Sequence, residues 1–585
     1  MTSTPELPSP GTSSEASKTK SVVWPFWLGL SVLAVTGLIV FVIQSKAHED
    51  DFQIAFIRST TATLIGSVSG LILLQIAARR AGRRFLIPKL IVAGSIAAVA
   101  LLRFDGFNGE MNPRLSWRWN GRPEPPPMVD TVASARPESS DEAGGDATRA
   151  DADDVGVEST AGVKPSAGPQ SLGFLGNDRT GIVPTRDFAV PSSADDVKVL
   201  WNVGVGAGWG SFAVADSIAV TLEQRDREEW VTAYELDTGR LIWKVTENAY
   251  HYHPLGGEGP RSTPVIEGST VYTQGATGIV KAIDLRDGAV LWSVDLLERA
   301  GWTQEESETE ISWGRSGSPL LVGGLCVVPF GAPAGGKSAE SRGLIALDKD
   351  SGATIWTAGE DQISYASPQL MDFSGDESDQ SDDPVDQRQI VIVNEASISG
   401  HAVDDGQVLW SFDWDGDSSG GANCSSVVPA GPNRFLIGKG YGGGSALVQI
   451  KKGSPWSAEA IWTSTRLMKT KFNHPVVRNG VAYGLSNGML EAVDLAREQR
   501  LWIQPRSGRF GQGQVVLADD VLVAQAETGE VAFCDANPDE YVERYRLPAM
   551  QSKTWNIPTS AGRYLLVRND RQAFCFYLPE RGSTL

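Results

Sequence analysis

The stretch Ile279-Val-Lys-Ala282-Ile-Asp284-Leu-Arg-Asp-Gly288-Ala-Val-Leu-Trp292 decides the fold. It reads as a strand, a tight Asp/Gly turn and a second strand ending in Trp. The phrase returns along the chain. Ala233 runs through Asp237-Thr-Gly239 to Trp243, Ala346-Leu-Asp348 through Gly352 to Trp356, and Ala492-Val-Asp494 to Trp502. A shorter copy runs from Ala402 through Asp404 and Gly406 to Trp410. Just upstream of the quoted stretch, Ser262-Thr-Pro264-Val-Ile and Thr270-Val-Tyr272 supply two more short β-rich runs. Four short strands recurring at roughly 40–60 residues define an all-β protein built as a β-propeller, one unit per blade.

The Trp markers fall at Trp201, Trp243, Trp292, Trp356, Trp410, Trp462 and Trp502, and Tyr545 takes the next place. Each large flat ring is expected to bury itself against the neighbouring blade and to donate its N–H to a backbone carbonyl, with the Ala and Gly of the phrase leaving room for it. The count is eight blades. Residues 572–578 read as a third strand with no Trp strand after it, and residues 197–203 as a Trp strand with nothing before it. The two are expected to pair and close the ring, which removes two exposed sheet edges. Some units have drifted. Glu498 replaces the turn glycine before Trp502, the fifth unit stretches its turn through Lys451 to Ala460, and the seventh carries Asn537-Pro538-Asp539. Such drift is tolerated where each blade packs mainly on its neighbours.

Composition narrows the function. A formal charge of −20 over 585 residues offers no basic stripe for phosphate backbones, so nucleic acid is not an expected partner. Four cysteines, Cys326, Cys424, Cys534 and Cys575, are too few for a disulfide scaffold and read as buried thiols.

Three apolar runs precede the repeats, at about 22–43, 60–78 and 85–102, and are read as transmembrane helices. Pro88 and Lys89 weaken the third. Lys18 and Lys20 precede the first, Arg79, Arg80, Arg83 and Arg84 crowd the loop between the second and third, and Glu49, Asp50 and Asp51 occupy the other loop. The positive-inside rule then places the N-terminus and the Arg loop in the cytosol. Three crossings deliver the propeller to the extracytoplasmic side of a bacterial inner membrane. Residues 1–21 read as a disordered cytosolic tail, 22–104 as the membrane domain, 105–170 as a disordered acidic, Pro-rich linker and 171–585 as the propeller. A second acidic stretch, residues 372–386, reads as a solvated insert in the fourth blade rather than an ordered calcium loop.

The repeated Ala-x-Asp-x-x-Thr-Gly-x-x-x-Trp phrase resembles the tryptophan-docking repeat of the pyrroloquinoline-quinone (PQQ) type propellers. That superfamily includes quinoprotein alcohol dehydrogenases and the propeller lipoprotein of the outer-membrane β-barrel assembly machine. The opening segment Leu175-Gly-Asn-Asp-Arg179-Thr-Gly181 and the runs Gly259-Pro-Arg261-Ser-Thr-Pro264 and Tyr365-Ala-Ser-Pro368 are similar to openings found in bacterial PQQ-like repeat proteins. The resemblance covers about 171–585 and implies the eight-bladed fold. It also raises PQQ with calcium as a cofactor. Family dehydrogenases carry an adjacent Cys pair and an acidic base beside calcium, and this chain has neither a Cys-Cys pair nor a matching acidic cluster at the strand starts. It also lacks a Cys-x-x-Cys-His haem signature. The reading is therefore non-catalytic, with no cofactor and no metal.

Other constellations read as structure. His251-Tyr-His253 offers alternate residues on one face, with Glu258 nearby as a third zinc ligand, but a polar loop explains it as well. Gly440-Tyr-Gly-Gly-Gly444 lacks the Lys-Ser/Thr of a phosphate loop and reads as a hairpin. Aligning the units puts Trp209, Arg261, Ser318, Tyr365, Asn423, Asn473, Gln512 and Trp555 at corresponding strand starts near the channel mouth. That mix suits a small polar ligand or a peptide segment, and equally a set of groups satisfying one another and buried water. The leading reading is a membrane-anchored interaction or envelope-assembly scaffold acting on unidentified envelope proteins. Alternatives are a quinoprotein oxidoreductase with a degenerate site and a ligand-binding sensor.

Overall fold

The computed structural model describes residues 14–45, 52–83, 86–121, 168–183, 186–333, 342–373, 387–417 and 421–582. Most of the expected tail (1–13 of 1–21), most of the linker (122–167) and most of the acidic insert (374–386) lie outside the described residues, and the rest of the expected tail, 14–21, is corrected to the start of a helix. The chain divides into two units, Met1–Pro123 and Glu124–Leu585.

The first unit holds three helices, α1 (Ser14–Ser45), α2 (Phe52–Arg80) and α3 (Leu86–Leu101). Small residues let α1 and α2 approach closely. A Cβ on Gly70 would sit 2.7 Å from Leu33, and one on Gly66 would overlap Thr36. Gln44 Nε2 donates to Ser59 Oγ across the pair at 2.9 Å. The expectation of three spans is corrected here. Two helices, α1 and α2, are long and apolar enough to cross a membrane, whereas α3 has 16 residues. At 1.5 Å per residue that is about 24 Å, short of the roughly 30 Å of a hydrocarbon core. A second correction concerns the linker, expected from residue 105. Strands Leu102–Phe107 and Pro113–Trp117 pair there as an antiparallel hairpin. The apolar residues Phe104, Phe107, Leu115 and Trp117, set two or three apart, gave that signal beneath a Pro- and Arg-containing composition.

The second unit is a ring of eight blades. Blade 1 runs through Ala213–Ala215, Ile218–Arg225, Glu228–Glu235 and Leu241–Glu247, innermost strand first. Blades 2 to 7 begin at inner strands Val265–Glu267, Leu320–Val322, Gln369–Asp372, Val428–Pro429, Val476–Arg478 and Gln514–Ala518. Blade 8 takes three strands from 559–577, and its outermost strand is Lys198–Gly204. Gln572 pairs with Gly204 and Cys575 with Trp201, so the first Trp strand closes the ring as the sequence indicated.

The Trp phrase works as a lock between blades. Trp201 Nε1 donates to Leu236 O of the next blade at 2.7 Å, Trp243 to Leu285 O at 2.8 Å and Trp292 to Lys349 O at 2.9 Å. Trp356 reaches Val403 O, Trp462 reaches Leu495 O, and Trp502 reaches Asn537 O. The turn glycine of the receiving blade lies on the ring. A Cβ on Gly239 would stand 2.7 Å from Trp201, and Gly239 has φ +69°. Sterics and backbone conformation therefore both demand glycine there. Each strand pair carrying a Trp also slips register beside it, as between Ala282 and Ile283 opposite Trp292. Trp410 departs from the rule. The fifth blade's turn is lengthened, and Trp410 Nε1 donates instead to Gln389 Oε1 of its own blade at 2.6 Å, its ring stacked on Phe435. Glu498 holds the left-handed conformation (φ 52°) where other blades use glycine.

The segment 171–183 lies within the ring. Ser171 bridges to Val214 of blade 1, Leu172 O accepts from Ile266 N of blade 2, and Ile182–Val183 pairs in parallel with Leu517–Ala518 of blade 7. Between them, buried Arg179 donates to Pro319 O at 2.7 Å, Ser318 O at 3.2 Å and Pro368 O at 2.9 Å. Its ring partner Phe174 meets His474 edge-on at 5.2 Å.

Candidate functional site at the channel mouth

Each inner strand is preceded by a segment that crosses from the previous blade to the channel. Its sequence fixes a belt of hydrogen bonds. Ser211 N donates to Thr263 Oγ1, Thr263 N to Ser318 Oγ, Ser318 N to Ser367 Oγ, Ser367 N to Ser426 Oγ, and Ser426 N to His474 Nε2, at 2.9–3.0 Å. Burial lowers the His474 pKa to about 4, which keeps the imidazole neutral and able to accept. Gln514 Nε2 continues the belt to Phe472 O and Trp555 O. Thr263, Ser318, Ser367 and His474 each precede a proline. Proline has no N–H to satisfy and holds the preceding residue extended. Ser318 therefore belongs to this structural belt.

The other seven sequence-derived positions fall into three groups by their contacts. Trp209 and Trp555 stand with ring centroids 4.8 Å apart, and Phe472 lies 5.2 Å from Trp555. Lys553 Nζ sits 4.6 Å from the Trp209 ring centroid and 4.1 Å from that of Trp555. Trp555 Nε1 donates to Glu527 Oε1 at 2.9 Å, while Trp209 Nε1 has no partner. Elsewhere on the ring, Tyr365 lies 5.7 Å from Trp313, which also contacts His253 and Tyr441. Lys471 Nζ is 5.4 Å from the Tyr441 ring. Arg261 donates to Gly259 O and Gly257 O; burial lowers its pKa to about 10, opposed in part by Tyr365.

The amides form the third group. Gln512 and Asn473 are fully buried, and neither side-chain atom of either has a partner. Asn423 Nδ2 donates to three carbonyls, of Asn394, Glu395 and Trp414, but its Oδ1 has none. Buried amide atoms without partners are costly, by about 1–3 kcal/mol each. In a chain of charge −20, Lys471 on Tyr441 and Lys553 on the Trp pair are cations set against aromatic faces, chemistry suited to a polar group bearing negative charge.

A calcium-bound quinone, the group implied by the resemblance, needs several oxygen ligands around the metal. Glu527 is the carboxylate touching the Trp pair, and its two oxygens already accept from Trp555 Nε1 and Gln512 N. Among the described residues no three His, Cys, Asp or Glu side chains come together to hold a metal. The four cysteines are buried and free. The residues present do not fit such a centre, and no chemistry is derived through it. Burial lowers the His251 pKa to about 3, and His253 Nδ1 accepts from Leu255 N and Gly256 N.

Three family-model matches, at residues 141–301, 189–375 and 298–545, are to the outer membrane protein assembly factor BamB family and together span more than half of the chain. A ring of eight blades, six of its junctions locked by a Trp N–H on a carbonyl of the next blade, is a PQQ-like propeller. The chain belongs to the BamB family of these proteins. It is 36% identical over 100 residues to outer membrane protein assembly factor BamB of Salmonella typhimurium, a match covering 17% of this chain and 22% of that relative. BamB from Moraxella catarrhalis shares 13% identity at a TM-score of 0.43, over 65% of this chain and 98% of that one. Quinohemoprotein alcohol dehydrogenase ADHIIG from Pseudomonas putida HK5 shares 13% at a TM-score of 0.47, over 71% of this chain and 81% of that one.

Sequence alignment of the blades missed Trp313, Tyr441, Phe472, Lys471, Lys553 and Glu527. They sit one or more residues off the strand starts, or in a different loop of the blade. A residue-by-residue blade alignment gives one position per unit and passes over such neighbours. The clustering of Lys471-Phe472 and Lys553-Thr-Trp555 in sequence was the available signal.

Proposed function

We infer that this protein is a non-catalytic interaction scaffold of the bacterial envelope, anchored in the inner membrane and holding its propeller outside the cytosol. The observation that carries the reading is the joining, in one chain, of a BamB-family propeller to helices long and apolar enough to cross a membrane. Basic residues support the orientation: Lys18 and Lys20 precede α1, and Arg79, Arg80, Arg83 and Arg84 follow α2. Both ends of the α1–α2 pair are then cytosolic, so the reading requires the shorter α3 to cross as well. The partners are envelope proteins, met through the mouth or the blade surfaces.

Protease added to intact spheroplasts tests the placement. Release of the C-terminal unit is the expected result; its survival until lysis overturns the reading. A second reading, a quinoprotein oxidoreductase with a degenerate site, rests on the PQQ-type resemblance. Thermal stability of the full chain with PQQ plus calcium separates the two, together with quinone-dependent dye reduction. A stability shift that Arg261→Ala abolishes, with sustained turnover, establishes the second; no shift and no turnover leave the scaffold.

A further inference from the structure

The hairpin that follows α3 has two unlike faces. Leu102 pairs with Trp117 and Phe104 with Leu115, so these four side chains share one face. Trp119 extends it, its ring stacked on Trp117 at 4.7 Å and 11°. This face is open: Phe104 is 51% exposed, Leu115 58%, Trp117 46% and Trp119 65%. The opposite face is charged and internally tied. Arg103 Nε donates to Asp105 at 2.7 Å and its Nη1 to Asn120 O at 3.1 Å, and Arg118 Nε donates to Leu102 O at 3.1 Å.

A two-stranded sheet is marginal in water by itself, and one with an unpartnered aromatic face is more so. Its position in the chain says what covers it. Strand Leu102–Phe107 begins at the residue after α3 ends, with no intervening loop. The α3 helix is apolar and has no buried residue. At about 24 Å it stops short of a roughly 30 Å hydrocarbon core, and two or three strand residues at about 3.3 Å each make up the difference. The hairpin thus falls at the depth where Trp and aromatic side chains concentrate, at the boundary of acyl chains and headgroups. Exposed Arg114 and Arg118 stand where headgroup phosphates accept hydrogen bonds.

The geometry points to an interfacial lipid-binding hairpin: residues 102–119 lie in the membrane–water boundary, with Phe104, Leu115, Trp117 and Trp119 in the acyl region and the Arg side chains on anionic or zwitterionic headgroups, so that the hairpin completes the crossing begun by α3. This rests on the membrane reading of the helices above. The four native cysteines are buried, so single introduced cysteines in the full chain can be spin-labelled selectively. Labels at Leu115→Cys, Leu64→Cys in α2 and Asp287→Cys on a propeller turn are compared in vesicles of phosphatidylethanolamine and phosphatidylglycerol, using oxygen and a water-soluble nickel chelate as collision probes. The expected result is an oxygen-to-nickel ratio at Leu115 several-fold above that at Asp287 and approaching that at Leu64. Trp117→Ser with Trp119→Ser should lower the Leu115 ratio several-fold while leaving Leu64 unchanged. A lipid-like Leu64 with a water-like Leu115 overturns the hairpin proposal and leaves the membrane reading standing. Shielding of Leu115 from both probes overturns it in favour of a protein cover. A water-like Leu64 defeats the membrane reading and the hairpin with it.

Discussion

Trp243 and Trp209 are buried to the same degree, 7% and 8% exposed. Trp243 at the rim has its indole N–H on Leu285 O and its ring under Gly288. Trp209 at the mouth has no partner for its N–H, and its ring shares a cation with Trp555. The rim contact recurs at six junctions, because each poses the same packing problem. At the corresponding inner-strand starts the residue type varies among aromatics, amides and an arginine. Repetition marks what the ring needs to close; its absence marks where the ring is free to take on a particular task.

The largest effect that would break this contrast is at the closure. Deleting residues 195–206 removes the outer strand of blade 8 and with it Trp201, leaving sheet edges on either side. Loss of soluble, folded propeller is expected by size-exclusion and circular dichroism; a folded product would show that rim locks are dispensable. Next is Gly239→Ala against Gly268→Ala. Both glycines have positive φ, but only Gly239 meets a Trp ring, while Gly268 has open space. Denaturant unfolding should show a loss of about 2–4 kcal/mol for the first and about 1 kcal/mol for the second. Equal losses would remove the ring contact from the account.

Glu229, between blades 1 and 2, lies between the two regimes. Burial pushes its carboxyl up to about 7, offset in part by the hydrogen bond from Ala276 N and by Lys281, while Glu247 adds to the rise. A pKa raised on folding means that the protonated form is the stabilised one. That contribution is whole below the unfolded value near 4.5 and is lost as pH rises through about 7. Glu229→Gln keeps an acceptor for Ala276 N and should raise stability by about 1–3 kcal/mol at about pH 8, with little change at about pH 4. Unfolding curves that stay parallel across this range would contradict it. The last effect is at Gln512. Gln512→Leu removes an amide with no partner on either atom, so stability should rise by about 1–3 kcal/mol. A large loss would mean that the mouth amides hold the ring together as the rim tryptophans do.

The same contrast explains what could be read from sequence. Trp292, Gly288 and Ala282 are legible because a fixed spacing recurs and each residue type answers one steric demand. Ring closure by residues 198–204 was legible because the count left one strand over at each end. The mouth was legible only in part. Blade alignment found Trp209 and Trp555, yet Lys553 and Phe472 join them through loops whose lengths differ from blade to blade. Ser318 looked like a ligand group because position does not distinguish a hydroxyl facing the channel from one accepting Thr263 N. The short α3 and the hairpin after it were read as a third span at 85–102 and a tether, because hydropathy does not register where a helix gives way to an alternating strand.

The segment holding Arg179 also determines how this ring would bear load. Any tension arriving from the N-terminal side meets the parallel pairing of Ile182–Val183 and the three carbonyls gripping Arg179 before it reaches Lys198–Gly204. A tug would be shared among several blades at the hub, and the clasp strand would be spared peeling until that hub anchor gave way.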